Sequence, residues 1–144
     1  MAHPNILTSD DDIREVLQAT ERIAVLGMKP DTHAGQPAYY VPQYMAGHGY
    51  EIIPVPVYYP EVTEIMGRPV FRDLREVGEI DMVNVFRRSE DIPKHTEELL
   101  AARPKSVWFQ LGIKNDAVAE KLAEAGIKVV QNLCLMVEHR ALVR

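Results

Sequence analysis

Short, almost uninterrupted apolar runs alternate with amphipathic stretches along this chain. Arg22-Ile23-Ala24-Val25-Leu26 is a compact apolar run halted by Gly27, the pattern of a strand buried on both faces. Glu51 to Val57, Asp81 to Phe86, Ser106 to Leu111 and Ile127 to Val130 read the same way, and Val70-Phe71, after the Gly67-Arg68-Pro69 turn, predicts a further short strand. Helical segments lie between them. Ser9 is an N-cap before the acidic first turn Asp10-Asp11-Asp12, with Ile13, Val16 and Leu17 at helical spacing. Pro37 to His48 puts Val41, Tyr44 and Met45 on one face and ends at Gly47 and Gly49; Pro42 is expected in the first turn of that helix and not in its middle. A helix from Ser89 or Glu90 carries Ile92, Thr96, Leu99 and Leu100 and stops before Pro104. Asn115 to Ala125, closed by Gly126, and Leu133 to Leu142 complete the set.

Strands that alternate with helices and are apolar throughout predict a parallel sheet covered on both faces. Right-handed crossovers make it a doubly wound, Rossmann-like α/β sheet. With 144 residues, no internal repeat and no linker, the expectation is a single domain over residues 1–144, burying about two-thirds of its unfolded surface. Ligands of such sheets bind outside the carboxyl ends of the strands, where the strand order reverses. That selects Gly27 to Lys29, Val55 to Tyr58, Phe86 to Ser89 and Leu111 to Lys114.

Composition narrows the class without naming a chemistry. Hydrophobic residues make up 47% and charged residues 26%, ordinary for a globular chain. Cys134 is the only cysteine, so neither an internal disulfide nor a multi-cysteine zinc site is expected, and a reducing compartment fits. The longest strictly apolar run, Leu133 to Val137, is far short of the ~20 residues that span a bilayer, and Met1 to Ser9 lacks a signal layout. A cytoplasmic protein without membrane attachment is expected. The net charge of −5 argues against nucleic acid as a partner, although Arg87 and Arg88 form a local basic cluster.

At the strand ends, Gly27-Met28-Lys29-Pro30 outlines an anion site, since a glycine lets the backbone approach a ligand and the next helix offers free N–H groups. A plain strand-to-helix turn explains it equally well. It is not a G-x-G-x-x-G fingerprint, because Lys29 and Thr32 stand where later glycines are needed. NAD would also require a carboxylate at the end of the second strand, yet Ile53-Pro54-Val55-Pro56-Val57 has none before Glu61. That stiff apolar end suits a flat base, or the prolines merely terminate the strand. Val85-Phe86-Arg87-Arg88 sets an aromatic beside two guanidinium groups whose forked donors match phosphate oxygens, the alternative being surface pairing with Glu90 and Asp91. No G-x-S-x-G elbow or G-x-x-x-x-G-K-[ST] loop occurs. The five histidines are scattered; His95 with Glu98 is too little for a metal ligand set, and Glu97-Glu98 reads as a solvated face.

These pieces together resemble the small CoA-binding proteins related to the N-terminal CoA-binding domain of the succinyl-CoA synthetase α subunit. The likeness runs from about Asp12 to Leu142 through Ile23-Ala24-Val25-Leu26-Gly27, Tyr40-Val41-Pro42 with Tyr44, Gly49-Tyr50, Ile53-Pro54-Val55, Val83-Asn84-Val85-Phe86-Arg87, Trp108-Phe109-Gln110-Leu111-Gly112-Ile113 and Cys134-Leu135-Met136-Val137-Glu138-His139. The resemblance implies coenzyme A or an acyl-CoA as ligand. Gly27, Met28, Lys29 and Pro30 would cradle the pyrophosphate; Val55, Pro56, Val57, Val85 and Phe86 would flank the adenine; Arg87 would address a phosphate, and Leu111 and Gly112 would border the pantetheine arm. The family usually carries P-V-N-P and then a basic residue, where this chain has Pro54-Val55-Pro56-Val57-Tyr58, and Asn132-Leu133 replaces the charged pair before the cysteine. No second domain with a phosphorylated histidine follows, so ligase activity is not expected. A non-catalytic binding or carrier module for a small CoA ligand comes first; a CoA-linked thiol or redox protein acting through Cys134, or a protein-interaction domain that has lost the ligand, are the alternatives. The protein partner stays open.

Overall fold

A computed structural model describes residues 3–143. Five parallel strands form the sheet: β1 (Arg22–Leu26), β2 (Glu51–Val55), then β5 (Met82–Val85), β6 (Ser106–Phe109) and β7 (Lys128–Val130). A separate antiparallel hairpin, β3 (Glu64–Ile65) with β4 (Arg68–Pro69), lies between β2 and β5 in the chain. The helices are α1 (Asp10–Gln18), α2 (Pro37–Ala46), α3 (Thr96–Ala102), α4 (Asp116–Glu124) and α5 (Leu135–Leu142). The sheet order is β2-β1-β5-β6-β7. From β1 the chain passes to β2 on one side and then crosses to β5 on the other, so the order reverses at β1 and opens a crevice between the carboxyl ends of β1 and β5.

Alternation of side chains along each strand divides the core into two layers. Ile23, Val25, Ile52, Met82, Trp108 and Val130 pack under α1, α2 and α5 through Ile13, Leu17, Met45 and Leu135. Ala24, Leu26, Ile53, Val83, Val107, Phe109 and Val129 face α3 and α4 through Leu99, Val118 and Leu122. Ser9 caps α1 as its sequence predicts, its side chain accepting from the Asp12 N–H. Among the described residues, no helix is long and apolar enough to cross a membrane.

Three local expectations are corrected. Val70-Phe71 is not a strand; the short pairing forms one step earlier, at Glu64–Ile65 with Arg68–Pro69, and Phe71 instead donates its N–H to the Pro54 carbonyl at 3.0 Å. The helix expected from Ser89 begins as a 3₁₀ segment, Ser89–His95, because Pro93 lies inside it and cannot supply the α-helical hydrogen bond; regular helix starts at Thr96. Pro42 lies inside α2, while Pro37 takes the first turn. The acceptor that Pro42 leaves free, the Ala38 carbonyl four residues earlier, takes the N–H of Lys29 at 3.2 Å. A mid-helix proline is tolerated because a neighbouring loop replaces its donor.

Candidate functional site

Three backbone segments interlock at the carboxyl edge of the sheet. Gly27 donates its N–H to the Val55 carbonyl at 2.8 Å, and Phe86 donates to the Leu26 carbonyl at 2.9 Å. Gly27 has φ +88°, and a Cβ placed on it would lie 2.4 Å from the Phe86 carbonyl oxygen. The glycine is therefore demanded by the adjacent strand exit, not only by an approaching ligand. Lys29, bonded to Ala38, fixes the next turn against the start of α2.

These segments wall a cleft of about 490 Å³, lined by Lys29 and by residues 36–38, 86–90 and 110–113. A smaller recess of about 60 Å³, lined by Gly27, Met28, Val57, Tyr58 and Tyr59, shares Lys29, Phe86 and Arg87 with it. The Lys29 ammonium donates to the Gln36 side-chain oxygen, and Gln36 supplies no side-chain cap to α2. The cleft's formally charged side chains are Lys29, Arg87, Arg88 and Glu90, a cationic balance in a chain whose net charge is −5.

Arg87 and Arg88 have different surroundings. Arg88 is 72% exposed and donates from Nε to Asp91 at 2.9 Å, the surface pairing expected as the alternative for both. The Arg87 side chain is only 8% exposed. Its Nε donates to His95 Nε2 at 3.1 Å, its guanidinium lies 5.2 Å from the centre of the Tyr58 ring, and Asp91 is 3.8 Å from Nη2. Hydrogen bonds from Arg88 and Lys94 hold the Asp91 carboxyl below the usual carboxylate range. Arg87 in turn lowers the Tyr58 phenol. Tyr58, standing where the resemblance implies a basic residue, thus presents an aromatic surface beneath a cation. Its loop is held by Arg72, which donates to the carbonyls of Tyr58, Tyr59 and Val62 at 2.7 to 3.1 Å.

Of the residues singled out in the sequence, Lys29, Phe86, Arg87, Leu111 and Gly112 meet around the cleft, and Gly27, Met28 and Val57 border the recess. Pro30 is buried ahead of the 3₁₀ turn Asp31–His33, Pro56 is buried, and Val55 and Val85 pack inward in the α3/α4 layer, so these four line neither space. Cys134 is half-buried at the start of α5, packed on the opposite core layer and outside both linings. The free N–H groups of the next helix were expected, but the lining by Gln36 to Ala38 and by Gln110 was not anticipated. Gln36-Pro37 carried a signal, since proline marks a first helical turn. Gln110 is a buried polar residue at the end of an apolar strand; its side-chain oxygen accepts from the Leu135 N–H at 3.2 Å and from Asn84 at 3.4 Å. Glu98 corrects the expectation of a solvated face: its carboxylate accepts from His95 at 2.6 Å and from the Leu74 N–H at 3.0 Å.

The sheet is doubly wound and parallel, and the cationic cleft lies at its switch point, where ligands of such sheets bind. The chain belongs to the CoA binding domain family, whose model matches residues 21–140. It is 40% identical over 134 residues to the YneT protein of Bacillus subtilis (strain 168), covering 91% of this chain and 94% of that one. A solved structure from Thermus thermophilus, cell-free ID.343, superposes with a TM-score of 0.85 at 38% identity, covering 94% of this chain and 99% of its own. The fold alone is shared with a dinucleotide-forming acetyl-coenzyme A synthetase of Candidatus Korarchaeum cryptofilum, at 17% identity and a TM-score of 0.65, over 80% of this chain and 26% of that one.

Proposed function

We propose that the protein binds coenzyme A or an acyl-CoA in the cleft at the carboxyl edge of the sheet, as a non-catalytic binding or carrier module of the cytoplasm. The observation that carries this reading is the charge of the cleft: Lys29, Arg87 and Arg88 line it with Glu90 as the one carboxylate of the lining, and Asp91 behind them is shared with Lys94, in an acidic chain. Such a lining suits a polyanion and offers no paired acid and base. The residues fit the coenzyme part by part. The Met28 N–H, the one amide of the Gly27–Pro30 turn not already donated to Val55 or Ala38, and the start of α2, with Arg87, would take phosphates; Tyr58 and Val57 offer a flat face to the base; the exposed Leu111 side chain, with Gly112, borders the arm. NAD fits less well, because the exit of β2 continues as Pro56-Val57-Tyr58 with no carboxylate for a ribose.

Thermal unfolding with each ligand tests the reading. Coenzyme A at ~100 times its dissociation constant stabilises the fold by about 2.7 kcal/mol, whereas NAD leaves the midpoint unchanged. An equal shift with NAD overturns the assignment. Absence of any shift with CoA or acyl-CoA favours a domain that has kept the fold for protein contacts.

A further inference from the structure

We infer that His95, backed by Glu98, is a positioning residue for Arg87: it engages the guanidinium through Nε and leaves the terminal nitrogens for a phosphate. The inference rests on the coenzyme A reading above and extends it to side chains outside the cleft lining.

The geometry is a chain of hydrogen bonds running from the cleft into the α3 layer. Arg87 Nε donates to His95 Nε2 at 3.1 Å, so that ring nitrogen carries a lone pair and no proton. The ring hydrogen then sits on Nδ1, which lies 2.6 Å from Glu98 Oε1. The other carboxylate oxygen of Glu98 accepts the Leu74 N–H at 3.0 Å, tying the chain to the backbone of the 3₁₀ turn Leu74–Glu76. The His95 and Glu98 side chains are each 13% exposed, so water competes little for these bonds. A carboxylate behind an imidazole fixes both its tautomer and its orientation.

The alternative partner shows why Arg87 needs such a hold. Asp91 lies 3.8 Å from Arg87 Nη2, too far for a hydrogen bond, and is already engaged by Arg88 and Lys94 at 2.9 and 3.1 Å. Without the hydrogen bond from Nε to His95, the guanidinium is free to close on Asp91 and bring its terminal nitrogens into an internal pair. His95 holds the guanidinium off Asp91, with its carbon 5.2 Å from the centre of the Tyr58 ring.

Calorimetry with coenzyme A on His95→Phe and His95→Gln tests this, with thermal unfolding to confirm the fold. Phenylalanine keeps a ring and loses the acceptor, whereas the glutamine amide can accept from Arg87 and donate to Glu98. Positioning predicts about tenfold weaker binding for His95→Phe and a value within about threefold of the parent for His95→Gln. A packing role predicts the reverse order, and that order overturns the inference. Should His95→Phe not fold, Glu98→Gln replaces it: the amide turns one of the two accepting oxygens, which serve His95 and Leu74 separately, into an NH2 donor, so weakened binding near the parental melting temperature supports the inference and unchanged binding overturns it. Nitrogen-15 NMR of the parent ring gives an arm that needs no ligand, the Nδ1–H tautomer being expected and the Nε2–H tautomer overturning the chain. A parent that binds no coenzyme A removes the functional reading and this inference together; a parent that binds it while His95→Phe binds equally well removes this inference alone.

Discussion

The N–H of Lys29 donates to the carbonyl of Ala38, the acceptor that Pro42 leaves vacant inside α2. A helix defect is thereby converted into a tie between the Gly27–Lys29 turn and the helix start that faces the cleft. In Pro42→Ala the new amide competes for Ala38, and the Lys29 turn loosens. The helix gains about 3 kcal/mol of propensity and loses about 0.8 kcal/mol for each of two buried ring methylenes, a net gain on the order of 1 kcal/mol. The expected outcome is a melting temperature roughly 3 °C higher together with weaker coenzyme A binding. Unchanged affinity in calorimetry would show that the tie has no part in the site.

Arg87→Ala has two expected effects, because this arginine is both buried and directed at the cleft. Loss of a charge-assisted phosphate contact weakens coenzyme A by roughly 1.5 to 3 kcal/mol. Stability also falls by about 1 to 3 kcal/mol, since His95 Nε2 is left without its donor at a largely buried position. The second effect departs from what a pair of surface arginines implies. Urea unfolding alongside calorimetry separates the two, and an affinity equal to the parent's removes Arg87 from the site.

His139, on α5, predicts a pH dependence that arises outside the cleft lining. The residue is 5% exposed, receives or gives a hydrogen bond with the Tyr44 hydroxyl at 3.0 Å, and has the His48 ring 5.3 Å away. Burial first, and the charge of His48 second, push its pKa below the ordinary 6.5. The unfolded chain therefore takes up its proton at a higher pH than the folded one. This contribution to stability is complete above the unfolded value and is lost as pH falls through it toward the folded pKa. Urea midpoints measured from about pH 7.5 to about pH 5 should decline, and His139→Gln should flatten the decline. A parent with no slope in that window contradicts the assignment.

What was legible in the sequence follows the range of the interactions involved. β1, β5 and β6 are strands buried on both faces, so their apolar runs state their place directly, and the crevice followed from the strand alternation. Gly27, Lys29, Phe86 and Arg87 could be placed at the carboxyl edge of the sheet from the sequence because a strand exit can be located along the chain. Pro42 was misplaced because its tolerance depends on Lys29, which reaches it only through the fold. His95 and Glu98 looked like an isolated pair for the same reason: Arg87 and Leu74, their partners, come from the exit of β5 and the segment before it. Val55 and Val85 point into the core because β2 and β5 alternate, a parity that depends on where each strand ends.

Gly27 and Gly112 provide a matched pair for the tightness of the crevice, having φ of +88° and +87°. Alanine at either position carries the left-handed backbone penalty of about 1 to 2 kcal/mol. Only at Gly27 does the added Cβ also meet structure, 2.4 Å from the Phe86 carbonyl oxygen and 3.1 Å from its carbon; at Gly112 nothing lies within 4 Å. The obstruction is backbone, so relief requires the exit of β5 to move and to carry Arg87 with it. Gly27→Ala should therefore cost about 3 kcal/mol or more, a large share of the roughly 5 to 15 kcal/mol that holds a domain folded. Gly112→Ala should cost no more than the backbone penalty. Urea unfolding of the two variants isolates the steric part as their difference. Calorimetry on whatever Gly27→Ala remains folded should show weaker coenzyme A binding, since Arg87 has shifted. Equal destabilisation of the two variants would mean that the β5 exit yields freely, and that the close approach of Gly27 to Phe86 does not set the shape of the site.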